Sequence, residues 1–563
     1  MNFITERIGL ENAAAALAAG AQADSTPLRR QSDLMIGHVI AISRGSAQVL
    51  FDIAAMAKMS GQSDASIAMA GQVGSQIKMQ VGQRWMVATV RTLALDTRSD
   101  RHIQAEVDFL GEGDQEQLTG RLYRFRRGVT RFPVPGTEVH AVSNDDMAEI
   151  YAAHEETCIE IGTVYPTAST RAALLVDSLL GKHFALLGST GTGKSTAAAL
   201  ILHRICDLSP EGHIVMIDPH GEYGAAFSGN GQVYSATNLE LPYWLLNFEE
   251  HCEMLVTAKG PERAQDCDIL AKCLLAARSR NRLAEGIGKL TVDSPVPYLL
   301  SDLATILQNE MGKLDKGTST LPYLRLRTRL DEIRSDPRFS FMFSGMLVAD
   351  SMQAFLAKVF RLPAHGKPIS IVDTSAMPSE ITHVVVSVLA RLIFDFAIWA
   401  RDEEQKPVLF VCEEAHRYIP SSTSGEGQSV RKILERIAKE GRKYGVSLGL
   451  ITQRPSDLAE GVLSQCGTII SMRLNNDRDQ NFVKAAMPEG SRGFLDAIPA
   501  LRNRECIVCG EGVTVPVRVA FDNLEPERRP ASADPVFSDL WRSSGGEDEI
   551  LERTINRWRN QGR

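Results

Sequence analysis

Residues Gly188 to Ser195 have the types and spacing of a loop that binds phosphate groups. They read Gly-Ser-Thr-Gly-Thr-Gly-Lys-Ser and fit the pattern G-x-x-x-x-G-K-[ST]. An apolar run precedes the loop and a helix-forming run follows it, which disfavours a glycine-rich turn that binds nothing. Lys194 is expected to reach the β- and γ-phosphates, and the Ser195 hydroxyl to ligate Mg²⁺. We therefore predict a site for ATP and Mg²⁺ formed by Gly188, Ser189, Thr190, Gly191, Thr192, Gly193, Lys194, Ser195 and Thr196.

Two adjacent acids follow another apolar run. Glu413 and Glu414 come directly after Val408-Leu-Phe-Val-Cys412. The first acid after such a strand normally holds the metal, and the next one polarises the attacking water as general base. Glu413 is assigned to the metal and Glu414 to the base. The alternative is a pair of solvated acids that end a strand, and glutamate in the metal position departs from the general pattern of phosphate-loop enzymes.

Two further strand ends carry polar residues that could complete the site. Asp218 begins the segment Asp-Pro-His-Gly-Glu-Tyr, where Asp218 could join the metal shell and Glu222 could orient the attacking water. A plain turn accounts for Pro-His-Gly equally well. Gln453 ends a third apolar run and could sense the γ-phosphate by a hydrogen bond.

Two cations are candidates for contact with the nucleotide of a neighbouring subunit. Arg442 lies near the end of a charged helix, and an arginine supplied from a neighbour stabilises the charge that develops in the transition state. Lys182, just before the nucleotide strand, is a second candidate for this contact. The alternative for both is an ordinary solvated cation.

The elements around these residues predict an α/β core with a parallel-rich sheet. Short apolar runs that alternate with helices are typical of parallel strands covered on both faces. They are Phe184–Leu187, His213–Ile217, Ile369–Val372, Val408–Val411, Val446–Ile451 and Thr468–Met472.

The remaining segments differ in texture. Short alternating runs separated by glycines predict a small β-barrel before the core. A helical stretch interrupts the core, and the last segment has an apolar helix face formed by Ile550, Leu551, Thr554, Ile555 and Trp558. The predicted division is a leader (1–32), barrel (33–145), first core part (146–244), helical insertion (245–365), second core part (366–524), and C-terminal linker and helix (525–563).

Composition and charge restrict where this chain acts. The longest apolar stretch, Ile381–Ala400, is interrupted by His383, Arg391 and Asp395, so we expect a buried helix and no membrane partner. The N-terminus lacks the features of a signal peptide, and we expect a cytoplasmic protein. The spacing of the nine cysteines indicates no disulfide framework, and Cys506 and Cys509 are expected in a buried strand.

The net charge of −8 bears on nucleic-acid binding. A chain with this charge must contact nucleic acid through local basic surface. The candidate stretches are 121–127, 278–282 and 473–478. The first also fits an exposed barrel strand.

Taken together, these motifs resemble the HerA family of the FtsK/HerA superfamily of P-loop ATPases. The resemblance covers about residues 34 to 524, and glutamate in the metal position is what this family carries. It rests on Ile161-Gly-Thr-Val164, Lys182-His183, the loop Gly188–Ser195, Asp218-Pro-His-Gly-Glu-Tyr223, Glu413-Glu-Ala-His416, Glu440-Gly-Arg-Lys-Tyr-Gly445 and Thr452-Gln-Arg-Pro455.

The resemblance implies a HAS-barrel, a RecA-like core and a helical insertion in a homo-hexameric ring that threads double-stranded DNA. It makes Arg442 the arginine finger acting in trans and Gln453 the sensor. A NurA-like nuclease, or a sirtuin-like or other effector, would dock at the barrel end, in DNA end processing or antiphage defence. The C-terminal segment resembles one that reaches across to the neighbouring subunit; packing on its own core is the alternative.

Two other functions compete with a DNA translocase. The first is a nucleotide-switched hexameric scaffold that activates a partner effector, motivated by the lack of a clear basic channel in the sequence. The second is a conjugation- or secretion-type ATPase of the same superfamily. Those of the coupling-protein type usually carry membrane spans, and none is evident in this sequence.

Overall fold

A computed structural model describes residues 34–559 except 44, 97–98, 117–118, 155, 168, 316–318, 344–348, 423–426, 488–491, 532–536 and 543–546. The predicted leader (1–32) lies outside the described residues. The chain forms two compact units. Among the described residues, the first unit contains those from 34 to 192 together with 454–456 and 463–522, and the second contains those from 193 to 453, 457 to 462 and 523 to 559.

The described strands, in chain order, are β1 (Met35–Ile42), β2 (Ser46–Asp52), β3 (Gln76–Val81), β4 (Arg84–Leu95), β5 (His102–Gln115), β6 (Leu122–Arg127), β7 (Glu138–Ala141), β8 (Cys158–Val164), β9 (Arg171–Leu175), β10 (Phe184–Leu187), β11 (Ile214–Asp218), β12 (Gly231–Tyr234), β13 (Ile369–Asp373), β14 (Val408–Glu413), β15 (Val446–Thr452), β16 (Thr468–Met472), β17 (Glu505–Gly510) and β18 (Val517–Phe521).

The described α-helices, in chain order, are α1 (Ile53–Ser60), α2 (Ala65–Ala68), α3 (Asn144–Ile150), α4 (Val176–Gly181), α5 (Lys194–Leu208), α6 (Phe248–Leu255), α7 (Pro261–Arg278), α8 (Leu300–Gly312), α9 (Leu321–Ser335), α10 (Ser340–Phe343), α11 (Met352–Phe360), α12 (Ser379–Trp399), α13 (Gln428–Glu440), α14 (Glu460–Leu463), α15 (Asp477–Ala486), α16 (Arg492–Leu495), α17 (Phe537–Leu540) and α18 (Glu547–Arg559).

The first seven strands form a closed barrel with one strand added outside it. The order β2-β1-β7-β3-β4-β5 returns to β2, so six antiparallel strands close the ring, and β6 pairs with β5. Alternate side chains point inward and build an apolar core that includes Val49, Phe51, Ile77 and Val107. The predicted β-barrel is confirmed.

The outer strand β6 is covered along its second edge by helix α3. The amide of Leu122 donates to Asp146 Oδ1 at 3.1 Å, and the amide of Phe125 donates to Glu149 Oε1 at 3.3 Å. Asp146 also accepts a 2.7 Å hydrogen bond from Lys78 Nζ, and both side chains are buried. Carboxylates of one helix therefore occupy the strand amides that would otherwise remain unpaired.

The first unit also contains a mixed sheet in the order β10-β16-β17-β18-β8-β9. Strands β10 and β16 are parallel, and the remaining pairs are antiparallel. Gly510 ends β17 with φ +116°, and a Cβ built there would lie 2.0 Å from the carbonyl oxygen of Gly467. Only glycine fits this position without displacing the backbone of the neighbouring segment.

The second unit contains a wholly parallel sheet in the order β12-β13-β11-β14-β15. All residues of β11, β14 and β15 are buried, as expected for parallel strands covered on both faces. Across both units, all six apolar runs singled out in the sequence form strands β10, β11, β13, β14, β15 and β16. The prediction of an α/β, RecA-like core is confirmed.

The regular elements described between 245 and 365 are helices, α6 to α11, apart from short 3₁₀ turns. Helix α12 then contains the longest apolar stretch. It is the one described helix long and apolar enough to cross a membrane, and 67% of its most apolar window is buried inside the protein. Arg391 on this helix contacts Glu250 of α6 at 2.9 Å, with neither side chain in open solvent.

Arg278, at the end of α7, corrects one interpretation of the sequence. It belongs to a basic stretch, 278–282, proposed for nucleic-acid contact, yet its side chain is fully buried. The guanidinium donates to the backbone carbonyls of Trp244, Leu246 and Ser294. Arg278 is therefore a structural residue of the helical segment, and it is not available to DNA.

The segment after β18 is tied to the second unit before its terminal helix. Arg528 pairs with Asp207 of α5 at 2.6 Å, and the amide of Ala531 donates to the carbonyl of Glu222 at 2.8 Å. Helix α18 forms as predicted, with Ile550, Leu551 and Trp558 each more than half exposed. Its apolar face does not pack on the core of the same chain.

Candidate nucleotide site

The loop Gly188–Ser195 follows β10 directly and leads into the first turn of α5. Gly191 and Gly193 have φ of +77° and +96°, a region that glycine adopts without a steric penalty. The Thr192 hydroxyl donates to the Ser189 carbonyl at 2.7 Å and closes the loop on itself. These conformations turn the chain sharply into the N-terminus of a long helix, where backbone N–H groups favour an anion.

Lys194 and Glu414 are brought together by the second unit although 220 residues separate them. Lys194 Nζ lies 3.3 Å from Glu414 Oε1, and the two side chains are 9% and 6% exposed. Glu414 has a left-handed backbone, with φ +49° and ψ +46°. That conformation is costly for a residue with a Cβ, by roughly 1–3 kcal/mol, and such strain clusters at functional sites.

Glu413 contacts Tyr223, which is fully buried. The Tyr223 hydroxyl donates to Glu413 Oε1 at 3.0 Å, and the side chain of Ser195 is close enough to affect the pKa of Tyr223. Glu413 Oε2 is buried and has no hydrogen-bond partner. Burial, reinforced by the nearby Asp218 charge, raises the pKa of Glu413 to about 8, against the opposing effect of Lys194.

Asp218 is fixed by the turn that follows it. Its carboxylate accepts hydrogen bonds from the backbone amides of His220, Gly221 and Tyr223 at 3.2, 2.8 and 2.9 Å. Burial nonetheless raises the pKa of Asp218 above its usual range, because the side chain is completely shielded from solvent. Asp373 is the register partner of Asp218 on β13, and its charge acts in the same direction.

These residues suit a hard divalent cation. The orphaned oxygen Glu413 Oε2, the Ser195 hydroxyl and the carboxylate of Asp218 are oxygen donors of the kind that Mg²⁺ prefers. Glu413 and Ser195 both lie beside Tyr223, so they would be the ligands, with Asp218 in the outer shell. A bound Mg²⁺ would neutralise phosphate charge and would favour the ionised form of Glu413.

Arg442 lies apart from this cluster. Arg442 is exposed on the turn before β15, whereas Thr452 ends that strand beside the cluster. A strand of seven residues spans roughly 20 Å, so Arg442 is on the opposite edge of the sheet. Lys182 precedes β10 and pairs with Glu511, and its contact with the nucleotide of a neighbouring subunit stays a prediction.

Gln453 and Glu222 are close to the cluster along the chain. Gln453 is half-buried directly after Thr452. Glu222 is half-buried in the Asp218–Tyr223 turn, and its charge contributes to the raised pKa of Glu413. Both stay predictions as γ-phosphate or water contacts.

The sequence did not predict a role for three side chains at the site. Tyr223 was treated only as part of a motif, His416 lies 3.3 Å from Glu414, and Asp373 adjoins Asp218 at the end of β13. For Asp373 a signal existed, since it is an acid directly after a predicted parallel strand. For Tyr223 and His416 the contact depends on the turns that Gly221 and Glu414 make.

The phosphate loop, the acids at neighbouring strand ends and the parallel core define a P-loop ATPase with a RecA-like fold. A family model described as "Helicase HerA, central domain" matches residues 159–393. The chain is 26% identical over 84% of its length to "DNA double-strand break repair helicase HerA" of Pyrococcus furiosus, covering 88% of that protein. It is 24% identical over 76% of its length to the protein of that name from Sulfolobus acidocaldarius, covering 80% of it.

Among solved structures, VirB4 of Thermoanaerobacter pseudethanolicus superposes with a TM-score of 0.48 at 15% identity, covering 66% of this chain and 98% of that one. The strand order and the family match show the RecA-like fold. Over residues 159–393 this chain therefore matches the HerA helicase family, and its similarity to HerA helicases extends over most of its length.

Proposed function

We propose that this chain is an ATP-driven translocase of double-stranded DNA that works as a homo-hexameric ring. The observation that carries the proposal is the 3.3 Å contact between Lys194 and Glu414, which joins the phosphate-binding lysine to the candidate base. The ATP triphosphate would lie on the loop Gly188–Ser195 with Lys194 at its β- and γ-phosphates. Glu414 would accept a proton from the attacking water.

Catalysis by this chain would then be mostly positioning and charge stabilisation. Tyr223 and the turn amides hold Glu413 and Asp218 in place before nucleotide arrives. The buried site excludes bulk water, so fixed charges act more strongly than they would in solvent. Gln453 would contact the γ-phosphate from the adjacent strand end.

The ring is proposed because Arg442 cannot serve its own site. It is exposed on the opposite edge of the parallel sheet, where it could reach the nucleotide of a neighbouring subunit. Head-to-tail contacts of this kind close into rings. A nuclease of the NurA type, or another effector, is proposed to dock at the barrel end, in DNA end processing or antiphage defence.

ATP hydrolysis with and without linear double-stranded DNA tests the motor function. Lys194→Ala should abolish nucleotide binding, and Glu414→Gln should bind ATP without hydrolysing it. Lys313→Ala and Glu310→Gln are matched controls, since they disrupt a Lys–Glu pair on the exposed surface. Triplex displacement then measures translocation directly. Wild-type hydrolysis without DNA stimulation or displacement would contradict the motor, and full partner activation by Glu414→Gln would favour the scaffold.

A mixing experiment tests the trans role of Arg442. Arg442→Ala and Lys194→Ala should each be inactive alone, yet a mixture should regain activity where an intact arginine faces an intact loop. No recovery, in subunits shown to exchange, would contradict the shared site. Sedimentation analysis gives the number of subunits.

A further inference from the structure

The imidazole of His416 lies between Glu414 and the end of the next strand. Its Nδ1 is 3.3 Å from Glu414 Oε2 and 3.0 Å from the Thr452 hydroxyl oxygen. The distance to Glu414 Oε2 is that of an ion pair, but the geometry is not that of a hydrogen bond, and Glu414 Oε2 accepts no hydrogen bond. The His416 side chain is 15% exposed, and Thr452 is fully buried at the end of β15.

Glu414 has two ion-pair contacts among the described residues, one on each carboxylate oxygen. Lys194 is beside Oε1 and His416 is beside Oε2. A lysine that binds the β- and γ-phosphates must leave the carboxylate, because its ammonium cannot remain on Glu414 and also reach the triphosphate. A carboxylate that is only 6% exposed would then lose its strongest partner in a poorly solvated site.

We propose that His416 is a positioning residue that takes over Glu414 when ATP draws Lys194 away. This rests on the proposed function, since it assumes that Glu414 is the general base. In the tautomer protonated at Nδ1, the N–H group donates either to Thr452 or to Glu414 Oε2. A small rotation moves the donor to Glu414, which keeps the carboxylate oriented while Oε1 accepts the proton of the attacking water.

The contact also links the base to the candidate sensor. Thr452 immediately precedes Gln453, so a shift of the β15 end on binding the γ-phosphate changes which partner His416 Nδ1 has. Hydrolysis would then require both the departure of Lys194 from Glu414 and the seating of the γ-phosphate beside Gln453. Glu414 would be held by Lys194 in the empty site and by His416 in the loaded one.

The atom in contact is Nδ1, and this makes a sharp test possible. An Asn side chain places its amide nitrogen near the position of His Nδ1, whereas Gln reaches the position of Nε2. In the full-length chain, His416→Ala should lower the kcat of ATP hydrolysis by at least about tenfold, and His416→Asn should restore much of that loss. His416→Gln should remain as impaired as His416→Ala. His38→Ala, an exposed histidine of β1, is the control and should hydrolyse ATP like the wild type.

Two further measurements separate positioning from a general structural effect. The affinity for a fluorescent ATP analogue should change less than about twofold in all three His416 variants, and thermal unfolding should confirm that they are folded. Thr452→Val, which removes the other partner and keeps the shape, should change kcat less than His416→Ala.

The outcomes are distinct from those that test the motor. Equal kcat in wild type and His416→Ala, or equal rescue by Asn and Gln, overturns the proposal for His416 and leaves the ATPase intact. Loss of nucleotide affinity in His416→Ala also overturns it, because a positioning residue for the base acts after binding. An inactive wild type would instead refute the proposed function itself.

Discussion

The raised pKa of Glu413 predicts an unusual pH dependence of stability in the absence of nucleotide and metal. Glu413 keeps its proton up to a pH of about 8 in the folded chain, because burial disfavours its carboxylate. In the unfolded chain a glutamate ionises near its reference pKa of about 4.3. Between these values the folded state therefore binds one proton more than the unfolded state does.

The sign and size of the effect follow from this difference. Stability from a group whose folded pKa is raised is complete at low pH and is lost as pH rises through the folded pKa. The limiting slope is about 1.4 kcal/mol per pH unit, so the free energy of unfolding should fall by about 2 kcal/mol between pH 6 and pH 8. Glu413→Gln does not titrate and should lack this component.

Urea unfolding followed by circular dichroism at pH 6 and pH 8 measures the effect. The comparison uses the change with pH in wild type minus the change in Glu413→Gln, which removes contributions from other titrating groups. Glu310→Gln, an exposed glutamate, should behave as wild type. Identical pH dependence in wild type and Glu413→Gln would refute the argument that burial suppresses ionisation of Glu413.

Three other predictions concern single contacts. Tyr223→Phe removes the hydroxyl that holds Glu413 and should weaken the binding of Mn²⁺, used in place of Mg²⁺ and measured by EPR, by about tenfold. The control Tyr234→Phe removes a hydroxyl that donates to the Lys358 carbonyl and should leave the Mn²⁺ affinity unchanged. Equal affinities in the two variants would contradict the role of Tyr223. Lys78→Met leaves Asp146 buried without its cation and should lower the free energy of unfolding in urea by about 3 kcal/mol, against less than about 0.5 kcal/mol for the exposed Lys313→Met. A small decrease in Lys78→Met would show that the other hydrogen-bond donors to Asp146 are sufficient. Gly510→Ala forces a Cβ against the Gly467 carbonyl and should lower the melting temperature strongly. Gly229→Ala places its Cβ in open space and should not lower it. Equal melting temperatures in the two variants would show that β17 can shift to make room.

Much of the α/β core could be predicted from sequence because its parallel strands are buried on both faces. Val408–Val411 and Val446–Ile451 are wholly apolar or nearly so, and short runs of this kind, bounded by polar turns, are typical of strands covered by helices on both sides. The phosphate loop could also be predicted from the sequence, because its glycines and Lys194 act through local geometry. The two acids at the end of β14 could be predicted from their position after an apolar run.

The contacts within the site could not be predicted from the sequence in the same way. Tyr223 meets Glu413 only because Asp218 and Gly221 fold the intervening turn back toward β14, and no local pattern encodes that distance. His416 reaches Glu414 because Glu414 adopts a left-handed backbone, which propensity does not predict. The prediction for Arg278 was wrong for a related reason, since two of the three carbonyls that its side chain contacts come from a segment more than 30 residues away.

The closed barrel constrains how any partner could bind it. Its six strands complete a ring, and the amides of Leu122 and Phe125 on the added strand β6 are occupied by carboxylates of α3. A partner therefore cannot gain affinity at the Leu122 and Phe125 amides of β6 by adding a strand to the sheet. In that mode of binding, main-chain hydrogen bonds supply the affinity and depend little on the sequence of the partner. A partner that binds this domain would have to recognise side chains and loop shape, so a few surface substitutions should be enough to change which partner binds.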